Sequence, residues 1–123
     1  MNSRPPLDMT EDHWHIIQSV LRRHVPDRTV WAFGSRAKWA AKKFSDLDLA
    51  IIGEQPLGLD LSAKLAEAFA ESDLPYKVDL VDWTITRESF KKIIERDKVV
   101  VQYGANSAVK PDRGMDSEQS KVQ

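Results

Sequence analysis

Three aspartates lie in or beside apolar segments of this chain, at spacings that can bring their carboxylates together. Asp46 and Asp48 stand at the start of the apolar run Leu47–Ile52, which predicts a buried central strand. Residues two apart in a strand point to the same face, so these two carboxylates should face one way. Such a pair favours Mg²⁺, which prefers oxygen ligands and offsets the cost of burying two anions.

The segment Lys77–Trp83 supplies a third carboxylate. It predicts another strand, with Asp79 near its start and Asp82 near its end, on opposite faces. If this strand runs parallel to Leu47–Ile52 after a right-handed helical crossover, the starts of the two strands lie together. That arrangement selects Asp79 as the third member of the group. Asp82 is expected to face water or to cap the following turn.

A glycine–serine pair follows the first predicted strand, Thr29–Phe33. Gly34 permits a close approach of a ligand to the backbone, and Ser35 adds a hydroxyl at the start of a predicted short helix, Arg36–Lys43. These groups suit phosphate oxygens. They lie beside Asp46 only if the first strand runs antiparallel to the second, so the sheet should be mixed.

Basic residues follow the glycine–serine pair directly. Arg36 is a candidate for a phosphate contact, together with a local patch formed by Lys38, Lys42 and Lys43. The alternative is an ordinary solvated helix face. Trp39 and Trp83 border the same region and suit either core packing or contact with a base or a partner.

The remaining segments read as helices around the sheet. Trp14, Ile17 and Leu21 recur at helical spacing and predict a first helix over residues 10–24, capped by Thr10 or Asp8. A second helix carries a stripe that includes Leu61, Leu65 and Phe69, with Asp60 as its cap.

A last helix should follow Thr86 as its cap. Phe90, Ile93 and Ile94 should face inward, with Ile85 and Phe90 forming a hydrophobic staple. Residues 99–101 predict a short edge strand. The predicted fold is therefore α/β (α+β), a small mixed β-sheet flanked by helices. We divide the chain into an N-terminal extension (1–9), one domain (10–103) and a disordered C-terminal tail (104–123).

Composition narrows the class of protein. The chain has 18 basic and 19 acidic residues and a net charge of −1, so it has no general attraction to nucleic acid or to an anionic membrane. It has no cysteine, which excludes thiol catalysis and disulfides and suits a reducing cytoplasm. No apolar run approaches the roughly 18 residues of a membrane span. We expect a soluble, cytoplasmic protein.

The segments GSRAKWAAKKFSDLDLAI and KVDLVDW together resemble the G-S…D-x-D…D motif of the DNA polymerase β nucleotidyltransferase superfamily. They resemble in particular its minimal nucleotidyltransferases, or MNT proteins, over about residues 10–102. The resemblance implies a polymerase β palm-like nucleotidyltransferase fold. It assigns nucleotide binding to Gly34 and Ser35. It makes Asp46 and Asp48 ligands of two Mg²⁺ ions, and Asp79 completes the catalytic metal site.

The activity implied by this resemblance is transfer of a nucleotide from ATP or another nucleoside triphosphate to an acceptor hydroxyl, with AMP as the expected group. MNT proteins typically pair with a small helical HEPN-type protein, and in some pairs the MNT protein is an antitoxin that adenylylates a tyrosine of that partner. Two alternatives are a module that binds such a partner without catalysis, and an enzyme that nucleotidylates a small molecule. One departure from the family is Trp39, because many relatives have glycine there.

Overall fold

A four-stranded mixed sheet with helices on both faces forms the molecule, in a computed structural model that describes residues 4–104. The strand order is β3-β2-β1-β4, with β1 antiparallel to both β2 and β4 and with β2 parallel to β3. This confirms the predicted mixed sheet and the parallel pairing of the two aspartate-bearing strands. The elements are α1 (Glu11–His24), β1 (Val30–Phe33), β2 (Leu47–Ile51), α2 (Leu59–Ala70), β3 (Val78–Asp82), a 3₁₀ turn (Trp83–Ile85), α3 (Glu88–Asp97) and β4 (Val99–Gln102).

The main core lies between one face of the sheet and helices α1 and α2. Alternate strand residues point into it because side chains alternate across a strand, and the predicted stripe of α1 meets them. The opposite sheet face carries a smaller cluster beneath α3, built on Phe33, Ala50 and Ile94. The fully buried side chains of the main core include Ile17, Leu21, Val30, Leu47, Leu49, Ile51 and Leu65.

Several helix ends differ from their predictions. Thr10 caps α1 as expected, accepting a hydrogen bond from the His13 amide. Helix α2 begins earlier than predicted, with Gly58 at its cap, so Asp60 lies in its first turn. Arg87 occupies the cap position of α3, because the Thr86 hydroxyl donates to the Asp82 carbonyl.

The predictions for two apolar side chains near α3, Ile85 and Ile93, are also wrong. Ile85 is 76% exposed, so it does not form a hydrophobic staple, and Ile93 is 43% exposed while Ile94 is buried. Ile85 is the last residue of the 3₁₀ turn before α3, and its side chain lies outside the core. An apolar surface therefore remains beside the end of β3.

The segment before α1 packs on the domain, although we expected it to be an extension. Leu7 is 1% exposed and joins the main core. The Asp8 carboxylate accepts a hydrogen bond from the Ala41 amide, and Arg4 donates to the carbonyls of Leu7 and Met9. Apart from Gly104, the predicted C-terminal tail lies outside the described residues. No helix among residues 4–104 is long and apolar enough to cross a membrane.

Candidate active site

Asp48 and Asp79 lie side by side on the sheet face that α3 covers in part. They are direct partners in the parallel register of β2 and β3, and their carboxyl groups share a hydrogen bond. The alternating pattern of two apolar strands places both on one face, as the sequence predicted. Asp46 precedes β2 by one residue, and its side chain is exposed.

Burial and neighbouring charge raise the pKa of Asp48 from 3.8 to about 6. Desolvation of the half-buried carboxyl is the largest cause, followed by the charges of Asp79 and Asp46 and by the hydrogen bond that the protonated Asp48 carboxyl donates to Asp79. A proton held between two carboxylates reduces the repulsion between them, and a bound cation also reduces it. The pair therefore offers a site whose charge a cation would stabilise.

Gly34 is packed directly against the Asp48 carboxylate. It follows β1 with a φ of 79°, and a Cβ atom at this position would collide with Asp48 Oδ2. The antiparallel register pairs Phe33 with Asp48, which brings the turn after β1 to the carboxylate. Only glycine satisfies both the left-handed backbone and this close approach.

The predicted short helix after Gly34 is instead a single turn. Its hydrogen bonds run from the amides of Ala37 and Lys38 to the Gly34 carbonyl and from Ala40 to Ser35, and regular helix does not continue. Ser35 begins this turn.

Arg36 was predicted to contact phosphate at the site. Instead, its side chain holds the loop before β2. Among residues 4–104, Arg36 is the one buried polar or charged residue, at 4% exposure. Its guanidinium donates to four backbone carbonyls and stacks 3.7 Å from the centre of the Tyr76 ring. Those acceptors engage its donors, so Arg36 positions the loop that leads to Asp46. The four carbonyls belong to Asp8, Lys42, Lys43 and Ser45.

Trp39 adopts the left-handed conformation, with a φ of 59°. This explains why glycine suits the position. Its ring is 58% exposed, and its indole N–H donates to the Pro6 carbonyl at 3.0 Å. Trp83 instead packs edge-on against Trp31 in the smaller core, with ring centres 5.1 Å apart.

Asp82 caps the turn after β3. This was one of its two predicted roles, the other being exposure to water. Its carboxylate accepts from the amides of Leu57 and Thr84 and from the Thr84 hydroxyl. Burial alone would raise its pKa, but these hydrogen bonds and Arg28 together lower it. Asp82 is thus an ionised structural group outside the carboxylate pair.

Lys77 is a neighbour that the sequence analysis did not consider. Its ammonium lies 4.0 Å from Asp79 Oδ1, and the lysine is mostly exposed. The i, i+2 spacing along an extended segment was the available signal, because it puts both side chains on one face. Among residues 4–104, no three carboxylate or histidine side chains are gathered closely enough to form a metal-binding cluster.

The fold and this site define a nucleotidyltransferase: a carboxylate pair on adjacent strands beside a glycine turn. Residues 16–104 match the model of the family described as "Polymerase beta, Nucleotidyltransferase". The chain belongs to this polymerase β nucleotidyltransferase family. It is also 50% identical, over 111 residues, to the Haemophilus influenzae protein named "Probable protein adenylyltransferase MntA". The match covers 90% of this chain and 97% of that protein. The predicted resemblance to MNT proteins is confirmed.

Two solved structures have the same fold. One is a toxin–antitoxin complex with AMP-PNP, with a TM-score of 0.63 and 24% identity over 76% of this chain and 74% of the other. The second contains a tri-AMPylated HEPN toxin of Shewanella oneidensis with its MNT antitoxin. Its TM-score is 0.60, with 23% identity over 77% of this chain and 73% of the other.

Proposed function

We propose that this protein transfers AMP from ATP to a hydroxyl of a partner protein in a Mg²⁺-dependent reaction. The observation that carries the proposal is the placement of Asp48 between the glycine turn on one side and Asp79 on the other. The 50% identical relative named as a protein adenylyltransferase supports a protein acceptor. The alternative of a small-molecule acceptor has no comparable support.

The residues of the site suit a metal–nucleotide complex. Asp46, Asp48 and Asp79 would hold two Mg²⁺ ions with the triphosphate, and these ions would neutralise phosphate charge and acidify the acceptor hydroxyl. Gly34 lets the turn after β1 approach the Asp48 carboxylate closely, and the Ser35 hydroxyl on that turn can donate to phosphate oxygens. The fit lies in donor chemistry: two adjacent carboxyl groups, one with a pKa of about 6, repel each other until a cation or proton intervenes.

The reaction balances as an in-line displacement. The acceptor oxygen forms a bond to the α-phosphorus, the bond from that phosphorus to the bridging oxygen breaks, and pyrophosphate leaves. The proton of the acceptor hydroxyl passes to an Asp79 carboxylate oxygen. Asp79 is the better acceptor for this proton because it lies on the side of Asp48 away from Gly34. Pyrophosphate would depart on the Gly34 side, opposite the acceptor.

The proposed acceptor is a tyrosine of a small helical HEPN-type protein. Solved structures with this fold contain such a toxin beside an MNT antitoxin, and in one of them the toxin carries AMP. By this proposal the present chain is the antitoxin of a cytoplasmic pair and silences its partner by covalent modification. ATP and a protein substrate together make the cytoplasm the natural compartment.

The test is incubation of the purified chain with its neighbouring-gene HEPN-type protein, Mg²⁺ and ATP labelled at either the α- or the γ-phosphate. The proposal expects α-label on the partner and none from γ-labelled ATP. Label from the γ-phosphate alone would indicate a kinase. Asp48→Asn should abolish labelling, whereas Asp60→Asn, an equal charge change on the exposed first turn of α2, should preserve it. An unmodified but tightly bound partner would instead indicate a non-catalytic antitoxin.

A further inference from the structure

Strand β3 forms an open edge of the sheet in the described part of the chain. The Leu47 amide donates to the Lys77 carbonyl at 2.9 Å. This bond shows which residues of β3 direct their backbone groups towards β2 and which direct them away from it. In a parallel ladder, alternate residues bond to the neighbouring strand, so Val78 and Leu80 turn their N–H and C=O groups to the open side. An extended peptide is the natural complement of such an edge.

An apolar groove of about 530 Å³ lies along this edge, between β3 and the start of α2. Two large side chains on its rim are unusually exposed for an aliphatic residue: Leu59 at 89% and Ile85 at 76%. The groove floor and walls also include Leu57 and Leu80, which are partly buried against the core. Its lining suits an apolar side chain of a bound segment.

Asp82 fixes one wall of the groove. Its carboxylate holds the Leu57 amide at 2.9 Å and the Thr84 amide at 3.0 Å, so it ties the loop before α2 to the turn that carries Ile85. The two sides of the groove are therefore joined by hydrogen bonds in the free chain. A groove shaped before binding costs less ordering entropy when a segment enters it.

Asp79 lines the groove between Val78 and Leu80, while its carboxyl lies on the opposite face of the sheet, where it meets Asp48. The glycine turn reaches Asp48 from β1, on the side opposite β3. In-line transfer places the acceptor and the leaving pyrophosphate on opposite sides of the α-phosphorus. The triphosphate therefore belongs on the Gly34 side, and the acceptor belongs on the side of the open edge.

We propose that the acceptor protein docks as an extended segment that pairs with the edge of β3. An apolar side chain of that segment lies between Leu59 and Ile85, and the hydroxyl of an adjacent residue, which points to the other sheet face, reaches Asp79. This inference rests on the proposed protein adenylylation and names how its substrate binds. The strand edge selects a peptide over a nucleobase, because the backbone of an extended peptide matches a row of N–H and C=O groups and a base does not.

Steady-state kinetics with the HEPN-type protein as acceptor test the docking mode. Leu59→Glu and Ile85→Glu should raise the KM for that acceptor about tenfold or more and leave the KM for ATP unchanged, because each change removes burial of one aliphatic side chain. Ile93→Glu is the matched control, an exposed aliphatic residue of α3 outside the groove. An unchanged acceptor KM in both groove variants overturns the inference, as does an equal rise in the control.

Two other occupants give different results. If the groove holds the nucleobase, the KM for ATP rises instead; if it holds a second copy of this chain, light scattering finds a dimer that Leu59→Glu dissociates. Either result overturns the inference.

Hydrogen exchange separates this inference from the proposed function. Adding the HEPN-type protein should slow exchange of the Val78 and Leu80 amides, which face the open edge. Protection without any AMP transfer would contradict the activity and keep the docking mode. AMP transfer without protection of these amides would contradict the docking mode and keep the activity.

Discussion

Replacing Asp48 by asparagine should stabilise the metal-free protein at neutral and alkaline pH while abolishing its activity. The pKa of Asp48 is about 6 in the folded chain against 3.8 ordinarily, so the folded state binds this proton more tightly than the unfolded state does. The contribution of Asp48 to stability is then fully present below pH 4 and is lost as the pH rises through 6. Asparagine has the same shape and no charge, and therefore removes this loss.

The pKa difference corresponds to about 3 kcal/mol at 1.36 kcal/mol per pH unit. Asp48 is only half-buried, and solvent screening reduces the expected gain to about 1–2 kcal/mol. Urea unfolding with EDTA at pH 8 and pH 4 measures it. Asp48→Asn should exceed wild type by that amount at pH 8 and match it within about 0.5 kcal/mol at pH 4. Equal stability of the two proteins at pH 8 would refute the account of repulsion between Asp48 and Asp79.

Substitutions at three further positions test the surroundings of the carboxylate pair. Gly34→Ala should cost about 1–3 kcal/mol in urea unfolding and abolish AMP transfer, because its φ of 79° disfavours a side chain and its Cβ meets Asp48; wild-type activity would contradict this. At Trp39, whose φ is 59°, glycine should be more stable than alanine by about 1 kcal/mol, measured by thermal melting. Arg36→Lys should cost about 2–4 kcal/mol, because lysine cannot reach four separated carbonyls; a loss of nucleotide affinity with unchanged stability would place Arg36 at the phosphates instead.

The sheet was predictable from the sequence because its strands are short, mainly apolar runs, and two of them carry aspartates. Asp48 interrupts an otherwise buried strand, and the right-handed crossover rule then selects Asp79 over Asp82. Both the strand directions and the pairing of these two aspartates follow from local patterns and general topology. The register that makes them direct neighbours confirms that reasoning.

The segment between Gly34 and Asp46 was not predictable, because its conformation depends on distant partners. Its residues favour helix locally, but the guanidinium of Arg36 binds three carbonyls that follow the turn and a fourth in the segment before α1. Charge and position alone made Arg36 resemble a phosphate ligand. Its burial, which settles its role, is a tertiary property.

Capping patterns failed for a related reason. Thr86 has the sequence signature of a helix cap, yet its hydroxyl donates to the Asp82 carbonyl across the 3₁₀ turn. Short hydroxyl side chains can satisfy several nearby backbone groups, and the surrounding fold chooses among them. The exposure of Ile85 follows from the same turn and could not be read from its apolar character.

The central claim, that Asp48 belongs to a joint metal and nucleotide site beside Gly34, is tested most directly by calorimetry. AMP-PNP is titrated into the wild-type chain and into Asp48→Asn, each with Mg²⁺ and with EDTA. The account predicts that wild type binds AMP-PNP more tightly with Mg²⁺ than with EDTA, and that Asp48→Asn loses this metal-dependent gain. Binding by Asp48→Asn that equals wild type in the presence of Mg²⁺ would contradict it.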